Sequence, residues 1–583
     1  MKRHTRVDRR AFAFGLAVLA LAVALTAGAA GAGTTGPVIP SAEFTPNFEV
    51  DRATPAVASN SNAPRVIPAN ASNVVSSNPG LTGFNGLNLI DTRTADGRNA
   101  YSVEPPDQGL CSNGTQVLEA VNSIFAVYDT AGNLVSGKTS LNSFFTGDVA
   151  INRATGVAGQ FLSDPKCYWD SGNGHWYFSV LGITNGFTQG RVFLAVSKGS
   201  TATADPAGWY HYSIDTTNAG GAANDSDPSR TLPSHPGCPC FGDQPLIGAD
   251  AYGFYVTTNE FSINGPNFNG AQVYALDKNG LAKGKFRMQY VAGYHYLPLA
   301  EGYSYSLQPA TSPTAASWEQ ANGGTEYLLS ALDFNATTDN RVAAWALVNT
   351  QSLESNNPSV RLLDPAIVSS ETYGQPPVVK QEPGPTPLAD AFGAHESTLN
   401  SNDDRMNQVV YAGGRLWSGV NTAITTANTY VSSADRTGIA WFAVSPSASS
   451  STITASMASQ GYIALGSNDS VMFPSLGIND KGTGVMTFTI SGVHYYPSAG
   501  YVTIGANGTG DVHIAAAGTM PADGFTGVPA YGGPPERWGD YSAATALPDG
   551  SVLMATEWIP GTFSYATGGW FANWGTYVMR VNP

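Results

Sequence analysis

Basic side chains are scarce. The 583-residue sequence holds 28 Lys and Arg against 43 Asp and Glu, for a formal net charge of −15. Phosphate polymers and anionic membrane surfaces are bound by clustered Lys and Arg, so this balance excludes nucleic acid and anionic lipid as partners. Five of the few basic residues (Lys2, Arg3, Arg6, Arg9 and Arg10) crowd the N-terminus, which leaves the remainder more acidic still. Long apolar runs are also missing. Beyond the first 32 residues no stretch approaches the ~18 uncharged apolar residues of a membrane helix, so no membrane span is expected. Amphipathic helical windows are nearly absent. Complete catalytic motifs are absent as well, with no H-E-x-x-H, G-x-S-x-G or EF-hand loop. Gly280 to Phe286 is not a phosphate loop, because its glycines are too close and Ser or Thr is missing after the Lys. Asn224-Asp225-Ser226-Asp227 lacks the Gly and distal Glu of a calcium loop.

What is present begins with a leader. A basic start, an Ala/Leu/Val-rich run from Ala11 to about Ala24, and the small residues Ala27 to Ala32 form a secretory signal peptide over 1–32. Arg9-Arg10 fits twin-arginine export as well as the general secretory route. The expected location is therefore secreted, cell-surface or periplasmic. Residues 33–80, rich in Thr, Ser, Pro, Asn and Ala, read as a low-complexity linker. An even count of four cysteines in an oxidising compartment favours two disulfides, with three pairings open. Cys111 and Cys167 occupy corresponding places in neighbouring repeats, which favours Cys111–Cys167 and leaves Cys238–Cys240 as a local bridge. A metal at Cys238-Pro239-Cys240 is the weaker alternative.

From residue 81 onward, short alternating runs of aromatic and β-branched residues are separated by Gly, Asn, Asp and Pro, a pattern of strands and turns. The runs repeat. Units open near residues 107, 164, 243, 308, 407, 474 and 540, roughly 70 residues apart. Each unit has room for about four strands. Such a unit cannot bury both faces of its sheet alone, whereas neighbours packed around an axis can. The expected fold is all-β: a single β-propeller over 81–583, built of four-stranded antiparallel sheets. Seven blades are favoured, with six the alternative.

Four openings carry an aspartate: Asp107, Asp164, Asp243 and Asp540. Facing one channel mouth, they would form an acidic ring in which two carboxylates act as acid and base on a glycosidic bond. The same ring suits Ca²⁺. The plainer reading is that each Asp holds backbone N–H groups in a tight turn. Arg405 and Arg537 are placed to clamp an acidic sugar or to brace adjacent blades. Tyr541 and Glu557 are candidates for a nucleophile arrangement. His395 and Glu396 are a lesser acid–base pair. Trp169, Trp209, Trp417, Trp538 and Trp558 fall at strand ends or turns, where rings stack on sugars or pack between blades.

Taken together, Pro105-Pro106-Asp107-Gln108-Gly109 with Val121-Asn122, Asp164-Pro165 with Tyr168-Trp169-Asp170, Gly242-Asp243-Gln244-Pro245 with Gly248-Ala249-Asp250, and Arg537-Trp538-Gly539-Asp540-Tyr541-Ser542 resemble the openings of secreted bacterial β-propellers grouped as sialidase-like or uncharacterised. The resemblance spans about residues 80 to 583 and implies the architecture rather than an activity. Where sialidases carry S-x-D-x-G-x-T-W, this sequence has Asp170-x-Gly172-x-Gly174-x-Trp176. The functional expectation is a propeller, expected to be monomeric, that recognises an extracellular polymer, a glycan above all, without a required cofactor. A sialidase-like glycosidase and a non-catalytic adhesive or structural surface protein are the alternatives.

Overall fold

The computed structural model describes residues 63–583, except 185, 223–230, 235–236, 266–267, 293–303, 333–337, 427, 467 and 562–571. The expected leader (1–32) and the loop 224–227 lie outside the described residues. The chain is nearly all β. Gly, Asn and Asp turns cut it into short strands, and where turns are short a strand pairs with the next, because a two- to five-residue turn permits only antiparallel return.

Seven strand groups follow in chain order. The first is Gly109–Ser112, Gln116–Val121, Ile124–Asp129 and Leu134–Ser140. The second is Phe161–Asp170, His175–Ile183, Gly190–Ser197 and Trp209–Asp215. The third is Cys240–Ala249, Gly253–Ser262, Phe268–Asp277 and Met288–Ala292. The fourth begins with Gln308–Thr311, Thr325–Ala331 and Asp339–Val348, and both Arg361–Leu362 and Ala366–Tyr373 pair with its third strand. The fifth is Val409–Ala412, Arg415–Ile424, Arg436–Ala448 and Ile453–Ile463, and a short parallel pairing of Ala310 with Val409 joins it to the fourth. The sixth is Asp469–Ile478, Thr483–Gly492, Tyr495–Gly505 and Val512–Ala516. The seventh takes Ala543–Ala546, Val552–Trp558 and Gly575–Val581 from the C-terminus, and its outer strand, Thr82–Asn88, comes from the N-terminal side.

First strands touch in succession from the first group to the seventh, and the seventh touches the first. The apolar side chains fall between groups rather than within them. Trp176, Phe125 and Phe178 fill the space between the first and second groups. Trp345, Val273 and Leu328 fill that between the third and fourth. Leu87, Val117, Val121, Leu553 and Val578 do the same between the seventh and the first. Each such side chain contributes roughly 1.5–3 kcal/mol by leaving water. Cys111–Cys167, with Cα atoms 5.6 Å apart, ties the first strands of the first two groups, and Cys238–Cys240 closes locally. Replacing Cys111 and Cys167 together by Ala is expected to cost about 2–4 kcal/mol, read as a lower melting temperature under oxidising conditions.

The expected linker is packed over its described part. Ile67 is buried and its N–H donates to Thr425 Oγ1, and Val74–Val75 adds a parallel strand on Val512 and His513. The composition of 33–80 hides these few apolar residues, which cover an otherwise open sheet edge.

Candidate functional site: an acidic cleft beside the first strands

Asp107, Asp164, Gln244, Ser306 and Phe473, at the starts of five groups, have left-handed backbones, with φ between 44° and 57°. Pairing registers slip beside Asp164, Gln244 and Phe473, so these openings are bulges that turn the chain inward. A side chain from the preceding group latches several of them. Asn122 Oδ1 accepts from the N–H of Asp164 at 2.8 Å, Asn259 Oδ1 from Ser306 at 2.9 Å, and Asn421 Oδ1 from Phe473 at 2.7 Å. Between the last group and the first, Asp107 Oδ1 accepts from the N–H of Asp540 at 2.7 Å, and Asp107 Oδ2 from Asn122 Nδ2 at 2.6 Å. Asp107 therefore does satisfy a backbone N–H, across groups rather than within its own turn. Asn421 is buried and does not line the acidic cleft, and its Nδ2 also donates to Ser401 O. Asn421→Ala is expected to cost about 1–3 kcal/mol, measurable by denaturant unfolding, with no effect on ligand binding.

The bulges bring Asp107, Asp164, Asp243 and Asp540 to one cleft of about 510 Å³, with Arg537, Gln244, Asn122, Ser163 and Glu104. Asp164 is strongly perturbed. Burial, reinforced by the charges of Asp107 and Asp243, pushes it up to about 7, although Ser163 Oγ donates to it at 2.9 Å. Tyr541 OH donates to Asp164 Oδ1 at 3.1 Å and is itself held well above its ordinary value by burial. Lys166 stands over the Tyr541 ring, and burial brings its ammonium down to about 7 against the pull of Asp164, Asp107 and Asp540. Lys166, from the second group, and Arg537 are thus basic side chains beside these carboxylates.

The two arginines are occupied. Arg537 Nη2 donates to Asp540 at 3.2 Å. Arg405 bonds Asp403 through Nε at 2.7 Å and Nη2 at 2.8 Å, and reaches the cleft through Gln244 Oε1 at 2.6 Å. Glu557 is buried behind the cleft, accepting from Gly539 N–H at 2.7 Å. His395 is exposed, Glu396 half-buried, and neither lines the cleft.

The tryptophans differ from the sugar-stacking expectation. Trp417, Trp538, Trp558 and Trp209 are buried, Trp417 between the fifth and sixth groups and Trp558 between the sixth and seventh. Trp538 Nε1 bonds Thr489 Oγ1 at 3.1 Å, and Trp169 is half-buried against Trp176 at 5.1 Å. Packing between sheets consumes these large rings.

Sequence reading missed Glu104, Lys166 and Gln244. Gln244, not Asp243, takes the left-handed position in the third group. Glu104 lines the cleft and faces Glu536; a Cβ at Gly524 would collide with both carboxylates. Burial pushes Glu104 up to about 8 despite hydrogen bonds from Thr526, and holds Glu536 well above its usual range. A folded-state value above the unfolded one means stability that is full below about pH 4.5 and is lost as pH rises through about 8. Glu104→Gln is expected to flatten the fall in melting temperature between about pH 5 and pH 8, checked by scanning calorimetry.

Alongside the cleft, a channel of about 660 Å³ runs among the first strands, lined by Gln108, Gln308, Gln408, Lys166 and Ala544 among others. Gln108 is buried there with neither amide atom bonded to protein. No described helix is long and apolar enough to cross a membrane.

No protein-family model matches the sequence. No curated protein matches it. Solved structures similar to the chain include a protein of unknown function from Dyadobacter fermentans, at TM-score 0.31 and 10% identity, covering 72% of this chain and 94% of that one. A GH43 β-1,3-galactosidase is similar at TM-score 0.28 and 10% identity, over 61% and 95%. Trypanosoma rangeli sialidase is similar at TM-score 0.30 and 9% identity, over 74% of this chain and 57% of that one. At these scores and identities the likenesses assign no activity to the chain.

Proposed function

We propose that the seven groups are blades of one closed propeller and that the exported protein, a monomer, recognises an extracellular glycan in the acidic cleft. The succession of touching first strands, the seven apolar layers between groups and the N-terminal strand in the seventh group support closure. The observation that carries the functional reading is the meeting of Asp107, Asp164, Asp243, Asp540 and Arg537 in one cleft. Carboxylates accept hydrogen bonds from sugar hydroxyls. Because Arg405 and Arg537 already face carboxylates, the cleft favours a neutral or amino sugar over an acidic one. The reading requires no cofactor, and Ca²⁺ is an alternative occupant among the four aspartates.

A second reading, glycosidic bond cleavage, is favoured by Asp164. A carboxyl that keeps its proton up to about pH 7 is suited to protonate a leaving oxygen. Incubation of the purified protein with neutral, amino and sialylated polysaccharides, with and without Ca²⁺, followed by mass spectrometry and co-sedimentation, tests both. Retention on a neutral or amino glycan supports recognition, and released sugars add cleavage. Retention on sialylated glycans alone, or on none, contradicts the proposal.

A further inference from the structure

Cys238-Pro239-Cys240 stands apart from the cleft and does little for stability. A disulfide restricts the unfolded chain more as the loop it closes lengthens, by the logarithm of its length, and here one residue intervenes, against 55 in Cys111–Cys167. Its two sulfurs are unequal. Cys240 is fully buried at the start of the third group, whereas Cys238 is half-buried beside exposed Gly237. The backbone holds the motif from both sides, with Ile263 N–H donating to Pro239 O at 2.8 Å and Cys240 N–H to Thr217 O at 2.9 Å.

A buried carboxyl accompanies it. Glu260 has an oxygen within 4.8 Å of both sulfurs, a gap one water spans. Asn218 Nδ2 donates to Glu260 at 2.8 Å, Thr258 Oγ1 at 3.1 Å and Tyr274 OH at 3.3 Å. Burial nevertheless brings it up to about 7. An inert disulfide gains nothing from such a neighbour, and burying a carboxyl is costly. Asn269 Nδ2 also points at Cys240 Sγ at 3.2 Å, where it would stabilise negative charge on that sulfur.

We propose that Cys238-Pro239-Cys240 is a thiol–disulfide exchange site, with Cys238 the attacked sulfur, Cys240 the leaving sulfur and Glu260 its proton donor. A thiolate of an external dithiol attacks Cys238 Sγ and forms a mixed disulfide. The Cys238–Cys240 bond breaks, and its electron pair leaves on Cys240 Sγ, which takes the Glu260 proton. The second thiolate of the dithiol then closes on its own partner sulfur and expels Cys238, which is protonated by water. The dithiol is oxidised to a disulfide, the protein is reduced to two thiols, and Glu260 regains its proton from solvent. This site is independent of the glycan reading.

The test is differential alkylation of the full folded chain over a dithiothreitol series, with the four cysteines located by peptide mass spectrometry. Cys238 and Cys240 are expected to react at dithiothreitol concentrations at least about tenfold below those that open Cys111–Cys167, with circular dichroism unchanged. The reduction rate per dithiothreitol thiolate is expected to fall as pH rises through about 7, where Glu260 loses its proton. Glu260→Gln is expected to lower the rate below that pH and abolish the break. Should that variant not fold, Cys240→Ser is expected to form a mixed disulfide at Cys238 with oxidised glutathione, releasing one reduced glutathione. Equal reduction of both disulfides, a wild-type rate without the break, or no trapped adduct would overturn the proposal.

Discussion

Asp164→Asn is expected to cut release of sugar from a cleaved glycan by roughly 10²–10⁴-fold, the usual contribution of a positioned acid. Asn keeps the shape, but its one oxygen can replace only one of the two that accept from Ser163 and Tyr541, and it has no acidic proton to give. The wild-type rate should fall as pH rises through about 7, because Asp164 must be protonated to act and its surroundings hold its proton to that point. The residual rate of the variant should lack that limb. Initial rates between about pH 5 and pH 9, with melting temperatures taken alongside, distinguish lost chemistry from lost folding. A variant that releases sugar at the wild-type rate would remove Asp164 from the mechanism and leave recognition alone.

The second large effect concerns closure. A chain beginning at residue 89 lacks Thr82–Asn88, the outer strand of the seventh group, and is expected to be destabilised by at least ~5 kcal/mol relative to one beginning at residue 81. The strand pairs with Gly575–Val581 from Thr82↔Arg580 to Asn88↔Gly575. Leu87 is fully buried, donates its N–H to Glu119 Oε2 at 3.1 Å and accepts from Thr576 Oγ1 at 3.0 Å. Its removal would leave an open strand edge and an unshielded carboxylate between the last group and the first. Limited proteolysis and thermal melting of the two chains check this. Equal stability would mean that the seventh group does not depend on the N-terminal strand.

Much of this architecture is legible in the sequence, because a first strand needs the same local chemistry each time. The openings read near 107, 164, 243, 308, 407, 474 and 540 fall within about five residues of the starts of Gly109–Ser112, Phe161–Asp170, Cys240–Ala249, Gln308–Thr311, Val409–Ala412, Asp469–Ile478 and Ala543–Ala546. The Cys111–Cys167 bridge is legible for the same reason, since equivalent positions on adjacent first strands lie side by side. The meeting of the four aspartates follows from that periodicity too. What is not legible depends on contacts between distant segments. Glu104 is buried by Thr526 and Gly524, more than 400 residues away, so nothing local marks it. Lys166 reads as a surface lysine until its neighbours Tyr541 and Asp540 are placed. The tryptophans mislead for a related reason: a ring at a strand end has the same sequence signature whether it faces a sugar or the next sheet. The register slip that gives Gln244 the left-handed position has no signature in residue type.

Asp243 allows the most direct test of the cleft, because it lines the cavity and its charge acts on Asp164. Titration calorimetry of a retained glycan against the wild-type protein and Asp243→Asn, at matched melting temperature, would measure its part. Loss of a charge-assisted hydrogen bond to a sugar hydroxyl is expected to weaken binding by about tenfold or more. Unchanged affinity in Asp243→Asn, together with unchanged affinity in Asp164→Asn, would place the glycan elsewhere on the molecule and contradict the assignment of the acidic cleft.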